Sequence, residues 1–406
     1  MRRLWESPTL RSMVVYGASG AGFAGANLIL ARVLPTEQYA LFTLFIALGN
    51  LGYSLGPAGI DGVVNRRHLE AGPALLASLW PTTVAVGLAF AIAGMVVYDM
   101  SPALAVLLFL SCAFGGAMMV AGAKFQSEQR FAVSLTLLQS PNIVLIVAAG
   151  ATVVAGVTSA WLPALISTLG FIAAAVWGWT VLLAERHQKP HRDTAFSWGE
   201  ALAFAGLNAS GLVLIQMERL VIPHLLPLRQ LALFGVLGAI AGSLFRVLQM
   251  GVGFSLLPRL RAAHTVPERQ RLIAQEARLV GIIALLGSIT IWFLTPVVEH
   301  LFLAGKYHLT GSLVLAAIVS GIAKIANAFT KATASALADP RELSLVNMVG
   351  WLSVALALGG AFVGARWGLA GIIYGVGVGW IVRAVVAYAV IMRHLRLPVS
   401  VPATAP

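Results

Sequence analysis

Arg219, Arg246, Lys324, Lys331 and Arg383 each stand inside a long apolar run of this chain, and Glu218 directly precedes the first of them. Charges within a membrane segment are expensive, so they mark a substrate or ion path by default. Arg246 lies about 12 residues from the end of its run, roughly 18 Å along a helix and near the middle of a core about 30 Å thick. It cannot easily reach water by extending. Lys324 is similarly central, and Ser320, Asn327 and Lys331 follow its helical face, making a polar stripe. Lys331 is nearer the end of its run, where snorkelling to the interface is an alternative role; Arg383 is intermediate. A mostly cationic lining suits an anion, and phosphate or pyrophosphate would accept charge-assisted hydrogen bonds from Arg. The bland alternative is that these charges pair between helices, but deep acids are too few to pair them all. Glu218 is either a carrier of a coupling proton or cation, or an offset for a basic neighbour; it points about 100° away from Arg219 on a helix.

These groups need a frame. The 406 residues are 59% hydrophobic and only 10% charged, against about 25% charged in soluble domains. The chain reads as an all-α polytopic membrane protein. Hydrophobic runs separated by charge and Pro/Gly clusters predict about twelve spans. They fall at 12–31, 39–60, 74–97, 103–123, 131–155, 159–184, 204–223, 229–257, 273–295, 311–337, 344–364 and 369–392. The net charge of +12 comes from Lys and Arg scattered at helix ends, not clustered on one face, so nucleic acid is not an expected partner. An N-terminus on the cytoplasmic side gives that side most of the basic residues and leaves Arg32, Arg229, Lys306 and Arg366 opposite. Both termini are therefore expected inside, with an uncleaved first span.

A repeat organises the spans. "LPTEQYALF" at Leu34 returns as "LPLRQLALF" at Leu226, with identities at Leu34, Pro35, Gln38, Ala40, Leu41, Phe42 and Ala47. The same offset pairs Arg67 with Arg259, Ser54 with Arg246 and Asn27 with Arg219. Two parallel six-helix lobes follow, the plan of some secondary transporters: 1–184, a cytoplasmic linker at 185–203, and 204–406. The first lobe offers neutral polar groups where the second offers cations. In the linker, Ser197 and Glu200 have capping-box spacing, so Glu200 is expected to start a helix.

Other patterns are set aside. Gly17, Ala21 and Gly25 sit four apart, as do Gly371, Gly375 and Gly379; small residues at that spacing read as helix contacts, not as a dinucleotide fingerprint. "AGKY" at Ala304–Tyr307 lacks the upstream Gly and the following Ser/Thr of a phosphate loop. Cys112, the single cysteine, reads as a small packing residue. No ATP hydrolysis, metal site or cofactor is expected.

The stretch "LARVLPTEQYALFTLFIALGNLGYSLGPAGIDGVVNRR" resembles the first two helices of polysaccharide exporters and O-antigen flippases, in the multidrug/oligosaccharidyl-lipid/polysaccharide exporter superfamily. "IQMERLVIPHLLPLRQLALF", "LLPRL" with Pro258 and Arg259, and "ARWGLAGIIYGVGVG" are similar to the same family, with Ala40 and Ala232 standing where Gly is usual. The resemblance implies a MATE-like fold whose two lobes alternate between inward-open and outward-open states. It also implies translocation of an undecaprenyl-pyrophosphate-linked glycan across a bacterial inner membrane. Basic residues of the cavity would then hold the pyrophosphate, Arg246 first and Lys324 second. Membrane lipids surround such a protein, and glycan polymerase or chain-length proteins are candidate partners. Two alternatives are a multidrug antiporter of the same superfamily, which would want acids for cationic drugs, and a membrane-embedded glycan polymerase or ligase. The latter needs sizeable outer loops or a cluster of acids, and only Asp99, Glu37 and Glu299 are expected as exposed acids on that side.

Overall fold

The computed structural model describes residues 8–186, 197–243 and 265–396, with isolated positions at 245, 260 and 263. Arg246, Pro258, Arg259 and most of the linker lie outside the described residues. Among those described, the regular elements are all helical. They are α1 Pro8–Val33, α2 Thr36–Leu55, α3 Ile60–Arg67, α4 Pro73–Tyr98, α5 Pro102–Ser127, α6 Phe131–Ala155 and α7 Trp161–Arg186. Then come α8 Trp198–Leu225, α9 Leu228–Leu237, α10 Val266–Val297, α11 Gly311–Leu337, α12 Pro340–Gly364 and α13 Gly368–Arg396. By length and composition, 8 helical stretches of the described residues could cross a membrane, or 9 with one bent pair. Large apolar side chains stand on the outside, Val154 at 89% and Phe293 at 70% exposure. That is the surface of a protein whose solvent is hydrocarbon.

The helices start where local chemistry allows. Pro occupies the first turn of α4, α5, α10 and α12, where its missing N–H costs nothing. Ser101 Oγ accepts from the Leu104 amide and Thr265 Oγ1 from the Glu268 amide. A full capping box forms between Asp339 and Glu342. Ser197 does occupy the N-cap of α8, but its side chain makes no cap bond. Glu200 turns instead to the basic end of α3, 2.6 Å from Arg67 and 3.6 Å from Arg66. An ion pair with two guanidinium groups outcompetes a single hydrogen bond to its own helix.

Several expected boundaries move. The span expected over 39–60 breaks after Leu55, and α3 leaves at 49° to α2. Pro57 removes a donor there, while Ala58 and Gly59 adopt φ of 50° and 84°. Gly59 is needed twice over, because a Cβ there would lie 1.8 Å from the Ala201 carbonyl oxygen of α8. The span expected from 229 runs as α9 only to Leu237, then widens into a π turn over Gly238–Gly242.

The chain divides into two compact units, Val14–Ala239 with His300–His308, and Met1–Met13 with Ile240–Glu299 and Leu309–Pro406. In the first, α5 is central and packs on α2, α3, α4, α6 and α7. Phe125, Leu137 and Trp179 fill its core, and Trp179 Nε1 donates to the Ala117 carbonyl at 2.9 Å. Cys112 is buried there, as expected, against Gly52. The two copies of the repeated phrase meet in this unit, where α2 packs on α9. Pro35 and Pro227 take the same conformation, φ/ψ of −52°/150° and −54°/145°, so each phrase is one turn into a helix.

In the second unit α13 packs on both α11 and α12. Gly360 faces Gly375 and Gly364 faces Gly371, so closely that an added Cβ would lie 2.4 and 2.1 Å from the facing carbonyl oxygens. The contact reading of Gly371 and Gly375 holds. Among the described residues nothing lies within 4 Å of a Cβ added at Gly17 or Gly25, whereas Gly22 of α1 meets Ile146.

Candidate anion site on helices α11 and α13

Helix α11 presents Ser320, Lys324, Asn327 and Lys331 at helical spacing, and α13, packed on it, presents Trp380 and Arg383 one turn apart. Ser320, Asn327, Trp380 and Arg383 are buried, Arg383 to 3% exposure. Lys324 is half-buried, with its ammonium 5.9 Å from the centre of the Trp380 ring. Lys331 is exposed, yet close enough to Arg383 for their charges to repel. The structure thus brings four of the expected site residues, Lys324, Asn327, Lys331 and Arg383, onto one helix pair.

This face has bonding capacity to spare. Among the described residues, Arg383 Nε and Nη1, Trp380 Nε1, Ser320 Oγ and Asn327 Oδ1 are buried without a hydrogen-bond partner. Each such group costs about 1–3 kcal/mol of lost hydration. Neither α11 nor α13 contains an Asp or Glu. An oxyanion placed among these groups would take hydrogen bonds from the guanidinium and the indole N–H in a low-dielectric setting, where charge-assisted bonds are strongest.

Arg219 and Glu218 belong to the other unit. Arg219 donates to Gln216 Oε1 at 2.8 Å and lies 5.8 Å from the centre of the Phe234 ring of α9. Glu218 is buried at 1% exposure. Asn27, the offset partner of Arg219, is satisfied within its own helix by the Phe23 carbonyl at 2.8 Å; Ser54 is half-buried. Arg246, the first candidate, lies outside the described residues, shortly after the π turn.

Sequence reasoning missed Trp380. Its signal was available: an indole three residues before an intramembrane Arg shares that face. Glu299 was expected exposed in an outer loop, but it is buried and its Oε2 accepts from the Leu309 amide at 3.1 Å.

No family model and no curated protein sequence matches the chain. Solved structures do. An inward-facing multidrug resistance MATE family transporter of the MOP superfamily has a TM-score of 0.69 at 13% identity, covering 94% of this chain and 98% of the other. The lipid II flippase MurJ, in an inward closed conformation, has a TM-score of 0.65 at 11% identity over 94% and 87% of the two chains. A MATE protein in its straight conformation has 0.60 at 15% identity, over 95% of each. The chain has an all-α polytopic membrane fold, similar to that of MATE transporters and MurJ.

Proposed function

We propose that this chain is a transporter that moves an anionic, undecaprenyl-pyrophosphate-linked glycan from the cytoplasmic to the outer leaflet of a bacterial inner membrane by alternating access. The observation that carries the reading is Arg383, buried in a membrane helix with bare donors, among Lys324, Lys331 and Trp380 and on helices free of acids. A scaffold has no use for an uncompensated buried charge, whose removal from water costs several kcal/mol, on the order of 5. A cationic drug would be repelled by it; a pyrophosphate would be held. The fold shared with a lipid II flippase supports a lipid-linked cargo.

In this reading the lobes are 1–184 and 204–406, both termini are cytoplasmic, and the substrate binds between the lobes. Arg246, Lys324, Arg383, Lys331, Asn327 and Arg219 serve the anion, and Glu218 carries the coupling ion.

The test is deletion of the gene in its host, followed by measurement of surface polysaccharide and of lipid-linked repeat units. Loss at the surface with intact repeat units trapped on the inner leaflet supports flipping. Unpolymerised units accumulating on the outer leaflet would make the protein a polymerase, and a change confined to drug susceptibility would make it a drug antiporter. Arg246→Ala, supplied in trans, is expected to reach the membrane and fail to restore export.

A further inference from the structure

The phrase Ala304–Tyr307, which is no phosphate loop, has a different task. It lies in His300–His308, a segment compact with the first unit although the chain on either side of it, α10 and α11, belongs to the second. The segment is a closed strap. At its base the Leu309 amide donates to Glu299 Oε2 at 3.1 Å. At its turn Ala304 and Gly305 adopt φ of 50° and 72°, and the Lys306 amide donates to the Leu303 carbonyl at 3.1 Å.

The tip is docked on the end of α1. Lys306 Nζ donates to the carbonyls of Ala31 at 2.9 Å and Arg32 at 3.4 Å, and to that of Leu34. Those carbonyls belong to the last turn of α1 and the residue after it, where a helix leaves acceptors unsatisfied and carries partial negative charge. One ammonium answers both needs. Beside it Tyr307, 4% exposed, packs edge-on against Tyr39 of α2 with ring centres 6.3 Å apart, and Leu303 is buried at 1%. Leu301 and Ala304, by contrast, are exposed. The docking thus includes one ammonium, one ring and one aliphatic side chain, and the charge of Glu37 faces the ammonium from α2.

We propose that His300–His308 is a releasable latch: Lys306 seated on the C-terminal carbonyls of α1 holds the strap down, and the strap lifts once in every transport cycle. The second half of this inference rests on the transport reading, and the first does not. Two measurements separate them.

The first uses purified protein in detergent, in a Cys112→Ser background that removes the single native thiol. Leu303→Cys, buried under the strap, is expected to react slowly with a maleimide. Adding Lys306→Met should accelerate that reaction by about two- to fivefold, the effect of losing an exposed charge worth about 0.3–1 kcal/mol at a helix end. Lys306→Arg, which keeps the charge, should retain protection. Equal reactivity with and without Lys306 would overturn the latch, and the Arg variant controls for general misfolding.

The second measurement joins Arg32→Cys to Lys306→Cys with a short cleavable bismaleimide in proteoliposomes carrying an undecaprenyl-pyrophosphate-linked hexosamine. Flipping should stop when the strap is tied down and recover when the linker is cleaved. Undiminished flipping in the tied protein would overturn the cycle-linked release. If neither the tied nor the cleaved protein moves the probe, the transport reading fails on this cargo, and the labelling result decides the latch by itself.

Discussion

Two kinds of polar cluster sit in membrane helices of this protein, and they are built on opposite principles. In the first unit Ser19 of α1 donates to Gln139 Oε1 of α6 at 2.7 Å, while Asn142 Nδ2 donates to Ser19 Oγ at 2.7 Å and to Gln139 Oε1 at 3.1 Å. Ser111 and Thr168 likewise share a buried hydrogen bond at 2.8 Å between α5 and α7. These clusters are closed: Ser19, Gln139 and Asn142 bond one another, Thr168 Oγ1 also reaches the Ala164 carbonyl at 2.8 Å, and the bonds between side chains stitch helices together. On α11 and α13, buried polar atoms of Arg383, Trp380, Ser320 and Asn327 are left open among the described residues. A closed cluster contributes stability; an open one costs stability and keeps its bonds available for something that comes and goes.

That contrast can be broken most decisively at Arg383. Arg383→Met should lower glycan export by about 100-fold or more, the scale of losing a buried charge contact of 2–5 kcal/mol. The same substitution should leave the thermal midpoint in detergent unchanged or raise it, because a buried ion without partners is replaced by an apolar chain of similar length. A fall in both quantities would mean that Arg383 is structural. Next in size is the inverse case. Gln139→Leu removes the acceptor that Ser19 and Asn142 share and is expected to cost about 1–3 kcal/mol of stability, read as a lower thermal midpoint, while export per folded molecule is preserved. Smallest is Trp380→Phe, which keeps a ring beside Lys324 and removes one N–H. It should weaken binding of the anionic headgroup by about 5- to 10-fold, near 1–1.5 kcal/mol for one hydrogen bond, with little change in stability. An unchanged affinity would take the indole out of the site and leave Arg383 with the two lysines.

The helices themselves were legible from the chain. Phe131–Ala155 and Gly311–Leu337 fall on the expected ranges, because hydrophobic length and Pro or Gly punctuation are local properties that the bilayer selects directly. The echo of Leu34 in Leu226 was legible for a similar reason: Pro at the N-cap sets its own φ, and both copies obey it. The polar stripe of α11 was visible as a spacing, since a helix repeats its face every three to four residues.

Other outcomes depended on what each residue met across space. Glu200 could be read as a cap from its spacing to Ser197, but α3 delivers Arg66 and Arg67 to it. Gly17 and Gly371 stand in the same four-residue pattern, yet only the second meets another backbone. Ser19 and Ser320 are alike as letters in an apolar run. One is bonded and the other is bare, because α6 places Gln139 and Asn142 beside the first. Composition and periodicity determined that this chain is a bundle of membrane helices with cations at particular heights. Which of those groups are satisfied is a property of pairs, and only the packing of α11 on α13, and of Lys306 on the end of α1, decided that.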